Sequence, residues 1–177
     1  WLAAAAFDQP PPDAESAPLD YGIAAAPLVA PWLPRAPYAV LLSATSRDDK
    51  LWAEPNWLAL AAVLDTRGIA AVLPGGSPVE RERAARLAGA MGHAVAAPPL
   101  DLAALAALIA GAALVVGVDT GLTHLAAALG RPVVAIFAGS EPGLTGVLAA
   151  TPAVNLGGKG RPPAAAEVAA AALAMLG

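Results

Sequence analysis

From Tyr38 onward the apolar positions fall into short blocks whose period switches back and forth along the chain. Tyr38–Leu42, Ile69–Leu73, Ala113–Val118 and Val133–Phe137 are unbroken apolar runs, the pattern of strands buried on both faces. Between and after them lie stretches with helical composition and clear start and stop signals: Pro55–Arg67 before Gly68, Pro78–Met91, Asp101–Ala110 before Gly111, Thr120–Leu129 before Gly130, and Pro163–Leu176. Ala94–Ala97 and Ala153–Leu156 read as shorter, weaker strands. Strand and helix alternate throughout, which predicts an α/β fold: a parallel sheet with helices on both faces and right-handed crossovers. In such a sheet ligands sit beyond the carboxyl ends of the strands. The loops after Leu42, Leu73, Ala97, Val118 and Phe137 are therefore the places to look for chemistry.

Residues 1–37 do not share this pattern. Prolines at positions 10–12, 18, 27, 31, 34 and 37 fix φ and remove donors, so this part reads as a Pro/Ala-rich linker, with the folded domain over 38–177. The chain opens on Trp1 with no basic-then-apolar signal segment, and it reads as a piece of a longer polypeptide whose N-terminal domain the linker would follow.

Composition narrows the partners and the chemistry. A formal net charge of −4 with no basic run argues against nucleic acid. Without cysteine there is no disulfide or thiolate site, and two histidines alone cannot build a structural zinc site. The uncharged run Leu102–Val118 is divided by Gly111 and is short for a bilayer, which needs roughly 20 apolar residues; a buried helix followed by a buried strand reads the same way. No strand is followed by Gly-x-Gly-x-x-Gly or a Walker A loop, so neither a nicotinamide dehydrogenase nor a P-loop ATPase is supported.

Four loops carry polar groups suited to a ligand. Ser43–Trp52, after the first strand, holds Thr45 and Ser46 as hydroxyl donors and Lys50 as a cation for phosphate. Its other reading is a solvated loop with an Arg47–Asp48 surface pair. After Val118 comes Asp119-Thr120-Gly121-Leu122-Thr123-His124. Thr120 suits a helix N-cap, Gly121 allows close backbone approach, and the first free N–H groups of the helix favour an anion. Asp119 there could simply complement the helix dipole, and His124 could be a satisfied core histidine. Asp-Thr-Gly also marks aspartic proteases, but there it lies in β structure and pairs with a second copy; here it feeds an Ala-rich helix and occurs once. Ser77-Pro78-Val79-Glu80 fits a capping box, and the rival role for Glu80 is binding both hydroxyls of a ribose; local spacing favours the cap. The loop Ala138–Leu144 is polar and Gly-rich, with backbone N–H groups that could meet phosphate.

Two of these segments resemble a known family. Thr45–Trp52 looks like the phosphate-side loop of the type I lipopolysaccharide heptosyltransferases, and Val118–Leu125 is similar to the most recognisable segment of the heptosyltransferases at large. Leu73-Pro74-Gly75-Gly76 and Glu80 follow in matching order, and the likeness covers roughly residues 20 to 177. It implies the C-terminal, Rossmann-like domain of a GT-B glycosyltransferase that binds ADP-L-glycero-β-D-manno-heptose. The family transfers heptose to Kdo₂-lipid A with inversion, without a metal or other cofactor, in lipopolysaccharide inner-core biosynthesis. Carried over by position, Thr45, Ser46 and Lys50 would hold the diphosphate, Glu80 the ribose, and Leu100 the adenine. Asp119 would contact the heptose, and Thr120, Gly121 and His124 would shape the phosphate and sugar site. Lys50 and Asp119 are thus the expected catalytic residues of this half. The general base and the acceptor site would belong to an N-terminal half. Ser46 stands where threonine is common, Leu100 where methionine is known, and Ser140-Glu141-Pro142 where Thr-Asp-Pro is usual; each keeps the needed chemistry. The resemblance also implies a cytoplasmic protein, peripheral at the inner membrane of a Gram-negative bacterium. The alternatives are a type II heptosyltransferase, a nucleotide-sugar epimerase, or a non-catalytic fragment that binds a nucleotide sugar.

Overall fold

The computed structural model describes residues 20–177. Six strands form one sheet: β1 (Tyr38–Leu42), β2 (Ala70–Leu73), β3 (Ala94–Ala96), β4 (Leu114–Val118), β5 (Val133–Phe137) and β6 (Ala153–Gly157). All neighbours are parallel, in the order β3-β2-β1-β4-β5-β6. The order reverses between β1 and β4, which opens a crevice beyond their carboxyl ends. The helices are α1 (Glu54–Asp65), α2 (Pro78–Gly89), α3 (Leu102–Ala110), α4 (Gly121–Ala128), α5 (Pro142–Thr145) and α6 (Ala165–Leu176). The expected parallel α/β sheet is what the chain forms, with element boundaries shifted by one or two residues. The short α5 and a 3-10 turn at Asp48–Lys50 lie where the sequence reads as loop.

Strand residues alternate between two apolar layers, as the period of two requires. Ala39, Leu41, Val116 and Ile136 face one way, against Trp57, Leu60 and Leu64 of α1, Leu87 of α2 and Val168 and Ala172 of α6. Val40, Leu42, Val115 and Phe137 face the other way, against Leu108 and Ile109 of α3 and Ala126 and Ala127 of α4. Both faces are thus covered, and the central strands are fully buried. β3 is only half-buried because it lies at the sheet edge, which is why its sequence signal is weak.

Residues 1–19, the first half of the expected linker, lie outside the described residues. Residues 20–37 form no helix or strand. Leu28, Trp32 and Leu33 nevertheless pack on the second layer, and the Leu28 amide donates to Ala107 O at 3.0 Å. The apolar run Leu102–Val118 resolves into α3 and β4. Among the described residues no helix is long and apolar enough to cross a membrane.

Candidate functional site

A cleft of about 290 Å³ opens at the carboxyl ends of β1, β2 and β4. Ala44, Thr45 and Ser46 form one wall, Pro74, Gly75, Gly76 and Glu80 a second, and Thr120 and Leu122 a third, with Leu42 and Leu105 adding apolar surface. Thr45, Ser46, Glu80 and Thr120 are therefore brought together from segments far apart in sequence.

Lys50 and Asp119 are brought together as well, but with each other. Lys50 Nζ donates to Asp119 Oδ2 at 2.7 Å. The same oxygen accepts from Ser140 Oγ. His124 Nε2 lies 3.7 Å from Oδ1. Asp119 is only 6% exposed, and the Lys50 side chain 19%. Burial pushes the Asp119 carboxyl up, but the hydrogen bonds from Lys50 and Ser140, with the charges of Lys50 and His124, outweigh it and hold the group below the ordinary carboxylate value. The pair adjoins the cleft through the chain: Asp119 precedes Thr120, and Lys50 ends the short turn after Ser46.

Local structure explains how Lys50 is held there. Two positions on, Trp52 is buried, donates from Nε1 to Pro163 O at 2.9 Å, and meets Trp57 edge-on with ring centroids 5.0 Å apart. This anchor pins the 3-10 turn that carries Lys50. The Trp of the expected phosphate-side segment is thus a core residue that fixes a loop.

The helix after Asp119 sits against the sheet because of a residue the sequence reading passed over. A Cβ at Gly117 would collide with Thr123 Oγ1 and lie 3.0 Å from Leu42 Cβ. Only glycine lets α4 settle this close to β4. Thr123 in turn donates to Val118 O at 2.7 Å. Gly121 is different: a Cβ there would meet nothing within 4 Å, so no protein contact demands glycine at that position.

Glu80 completes the capping box, accepting from the Ser77 amide at 2.9 Å while Ser77 Oγ accepts from the Glu80 amide at 3.2 Å. Its Oε2 also takes the Gly76 amide at 2.9 Å, which fixes the carboxylate on the cleft wall. Thr120 occupies the N-cap position, but its side chain makes no capping bond. His124 is 43% exposed, so it is not a core histidine. Arg47 pairs with Asp49, at 2.5 Å, and not with Asp48. Leu100 packs on the second apolar layer and is not among the side chains lining the cleft. It precedes the α3 cap Asp101, and the helix itself presents Leu105 to the cleft. Lys50, Asp119, Gly121 and His124 also stand outside the lining set. The polar, Gly-rich loop after Phe137 delivers Ser140 to Asp119 before turning into α5.

A second hollow, about 180 Å³, shares Thr45 and Glu80 and includes Arg83 and Arg86. Both arginines are already paired with Glu54, at 3.1 and 2.7 Å. Among the described residues no cluster of three His, Asp or Glu side chains gathers as a metal site.

A parallel sheet of this strand order, with a cleft at its point of reversal, defines a Rossmann-like α/β domain. The sequence matches glycosyltransferase family 9 (heptosyltransferase) over residues 2–170, and the chain belongs to that family. It is 48% identical to lipopolysaccharide heptosyltransferase 1 of Escherichia coli K12 over 109 residues, which is 62% of this chain and 34% of that protein. Among solved structures, E. coli heptosyltransferase WaaC with ADP superposes with a TM-score of 0.69 at 41% identity, covering 77% of this chain and 44% of that one. E. coli ADP-heptose lps heptosyltransferase II gives a TM-score of 0.71 at 26% identity, covering 80% and 46%. The chain has the fold of the Rossmann-like half of these GT-B enzymes. It spans between a third and two fifths of the length of the curated relatives it matches.

Proposed function

We propose that this chain is the donor-binding half of a type I heptosyltransferase, holding ADP-L-glycero-β-D-manno-heptose while the sugar passes to Kdo₂-lipid A. The observation that carries the reading is the joining of two features at one sheet edge: the hydroxyl- and amide-lined cleft and the Lys50–Asp119 pair beside it. The identity to the WaaC structure, 41% against 26% for the type II enzyme, favours type I.

In this reading the ribose lies by Glu80 and the base against Leu105 and Leu122, while Thr45 and Ser46 donate to the diphosphate. Displacement at the anomeric carbon, with inversion, leaves negative charge on the departing ADP. Lys50 and the first amides of α4 stabilise that charge without a metal or other cofactor. Asp119 contacts the sugar but is a poor general base, because its carboxyl is held below the ordinary value and a base for an alcohol works best poised near the operating pH. We assign the base and the acceptor-binding residues to another part of the full polypeptide, working at the cytoplasmic face of the inner membrane. The chain by itself is expected to bind donor without transferring heptose to Kdo₂-lipid A.

Amide NMR during an ADP titration tests the site. Shifts should concentrate at Thr45, Ser46, Gly76, Glu80 and Thr120. Saturable shifts confined to the opposite edge of the sheet would refute it.

A further inference from the structure

The loop after β5 touches Asp119 and the turn that carries Lys50. Ser140 Oγ donates to Asp119 Oδ2, the oxygen that also accepts from Lys50 Nζ. One residue earlier, Gly139 lies so close to the 3-10 turn that an added Cβ would stand 2.7 Å from Asp49 O and 2.8 Å from Asp49 Oδ2. Asp49 immediately precedes Lys50. The loop is itself anchored from behind: Ala138 O accepts from the Gly160 amide at 2.7 Å, and Glu141 Oε1 accepts from the Lys159 amide at 3.2 Å. A chain of contacts therefore runs from the turn after β6, through residues 138–141, to Asp119 and to the turn that carries Lys50.

We propose that Ser140 is a positioning residue of the donor site: its hydroxyl fixes the Asp119 carboxylate, and through it the Lys50 ammonium, at the rim of the cleft, while Gly139 backs the turn that carries Lys50. The inference rests on reading the cleft as a nucleoside diphosphate sugar site. Its physical basis is preorganisation. A lysine side chain loses much rotamer freedom when it grips a phosphate. Holding the ammonium beside its destination beforehand removes part of that cost. Asp119 Oδ2 has two donors on one oxygen; without Ser140 the carboxylate is oriented by Lys50 alone and can swing. The titratable and charged groups facing Asp119 are Lys50 from the turn after β1 and His124 from α4, with Arg47 acting from farther off.

Two readouts on Ser140→Ala and Ser140→Thr test this. The first is the titration of the Asp119 carboxyl carbon by NMR, without nucleotide. The second is ADP affinity by calorimetry. In Ser140→Ala the midpoint of Asp119 should rise toward the ordinary carboxylate value, and ADP should bind about three- to tenfold more weakly, the range for one lost hydrogen bond. Ser140→Thr, which keeps the hydroxyl, should restore both. A residue that merely ties down a loop would alter stability without moving the Asp119 titration. An unmoved midpoint in Ser140→Ala, ADP affinity unchanged within about twofold, or a threonine variant as impaired as alanine would each overturn the proposal. If the unaltered chain binds no ADP, the donor-site reading fails, while the midpoint shift still decides whether Ser140 holds Asp119.

Discussion

Adding one methyl group at Gly117 should disturb both fold and cleft. The new Cβ would overlap Thr123 Oγ1 and stand 3.0 Å from Leu42 Cβ. Neither neighbour can yield easily. Thr123 is fully buried and its hydroxyl is held by Val118 O at 2.7 Å; Leu42 is in the core. If the threonine rotates away, it leaves that hydrogen bond, a loss of about 1 kcal/mol. If α4 backs off the sheet instead, overpacking costs about 1–3 kcal/mol. We expect Gly117→Ala to destabilise by about 2–3 kcal/mol, which leaves an ordinary domain of about 5–15 kcal/mol folded. Thr123→Ala alone should cost about 1 kcal/mol for the same bond. Because it also opens the space the new methyl needs, the double variant should be more stable than the sum of the two by about 1 kcal/mol or more. Urea unfolding of the four proteins at matched m values measures this. ADP affinity should fall in Gly117→Ala, where the first turn of α4 shifts, and recover in the double variant. Additivity within about 0.5 kcal/mol would refute the contact as the reason for glycine at this position.

Gly121→Ala should behave in the opposite way. No protein atom opposes its methyl, so stability should be unchanged or raised by up to about 1 kcal/mol, while calorimetric ADP affinity should drop as the methyl blocks close approach of the backbone to the ligand. Trp52→Phe should cost about 1–3 kcal/mol through lost packing and the lost Pro163 bond, and hydrogen exchange at the Leu51 amide should speed up as the Lys50 turn loosens. For pH, the Asp119 carboxyl titrates lower in the folded protein than in the unfolded chain, whose value is about 3.9. Its contribution is therefore complete above the ordinary carboxylate value and is lost as pH falls through the lower, folded one. Asp119→Asn should flatten the acid limb of the stability curve in that window, and an unaltered acid slope would count against the pairing.

The strands and helices were readable because each is a local matter. Four strands are buried on both faces and announce themselves as apolar runs, and Ser77 with Glu80 announces a helix start. The residues that converge on the sheet's carboxyl edge were readable in part for the same reason, since the loops after strands are where polar side chains stand out. What sequence alone hides is which of those groups meet. Lys50 and Asp119 stand 69 residues apart, and nothing local says that they bond to each other. Ser140 was one hydroxyl in a Gly-rich loop until the β5 crossover brought it to Asp119. Leu105 sits on an almost wholly apolar helix, so no periodicity marks which leucine faces the cleft. Glycine is ambiguous in the same way: Gly121 sits in a recognisable motif, whereas Gly117 lies within an apolar run, and only its closeness to Thr123 explains it.

If Lys50, presented beside the cleft, meets the diphosphate of a bound nucleotide, its loss should be felt by ADP and not by adenosine. The direct test is calorimetric titration of the unaltered chain and Lys50→Ala with both ADP and adenosine. The substitution should weaken ADP by about 1.5–3 kcal/mol, the worth of a charged hydrogen bond, and leave adenosine essentially untouched. Equal weakening of both ligands, or no change in ADP affinity, would contradict that role for Lys50.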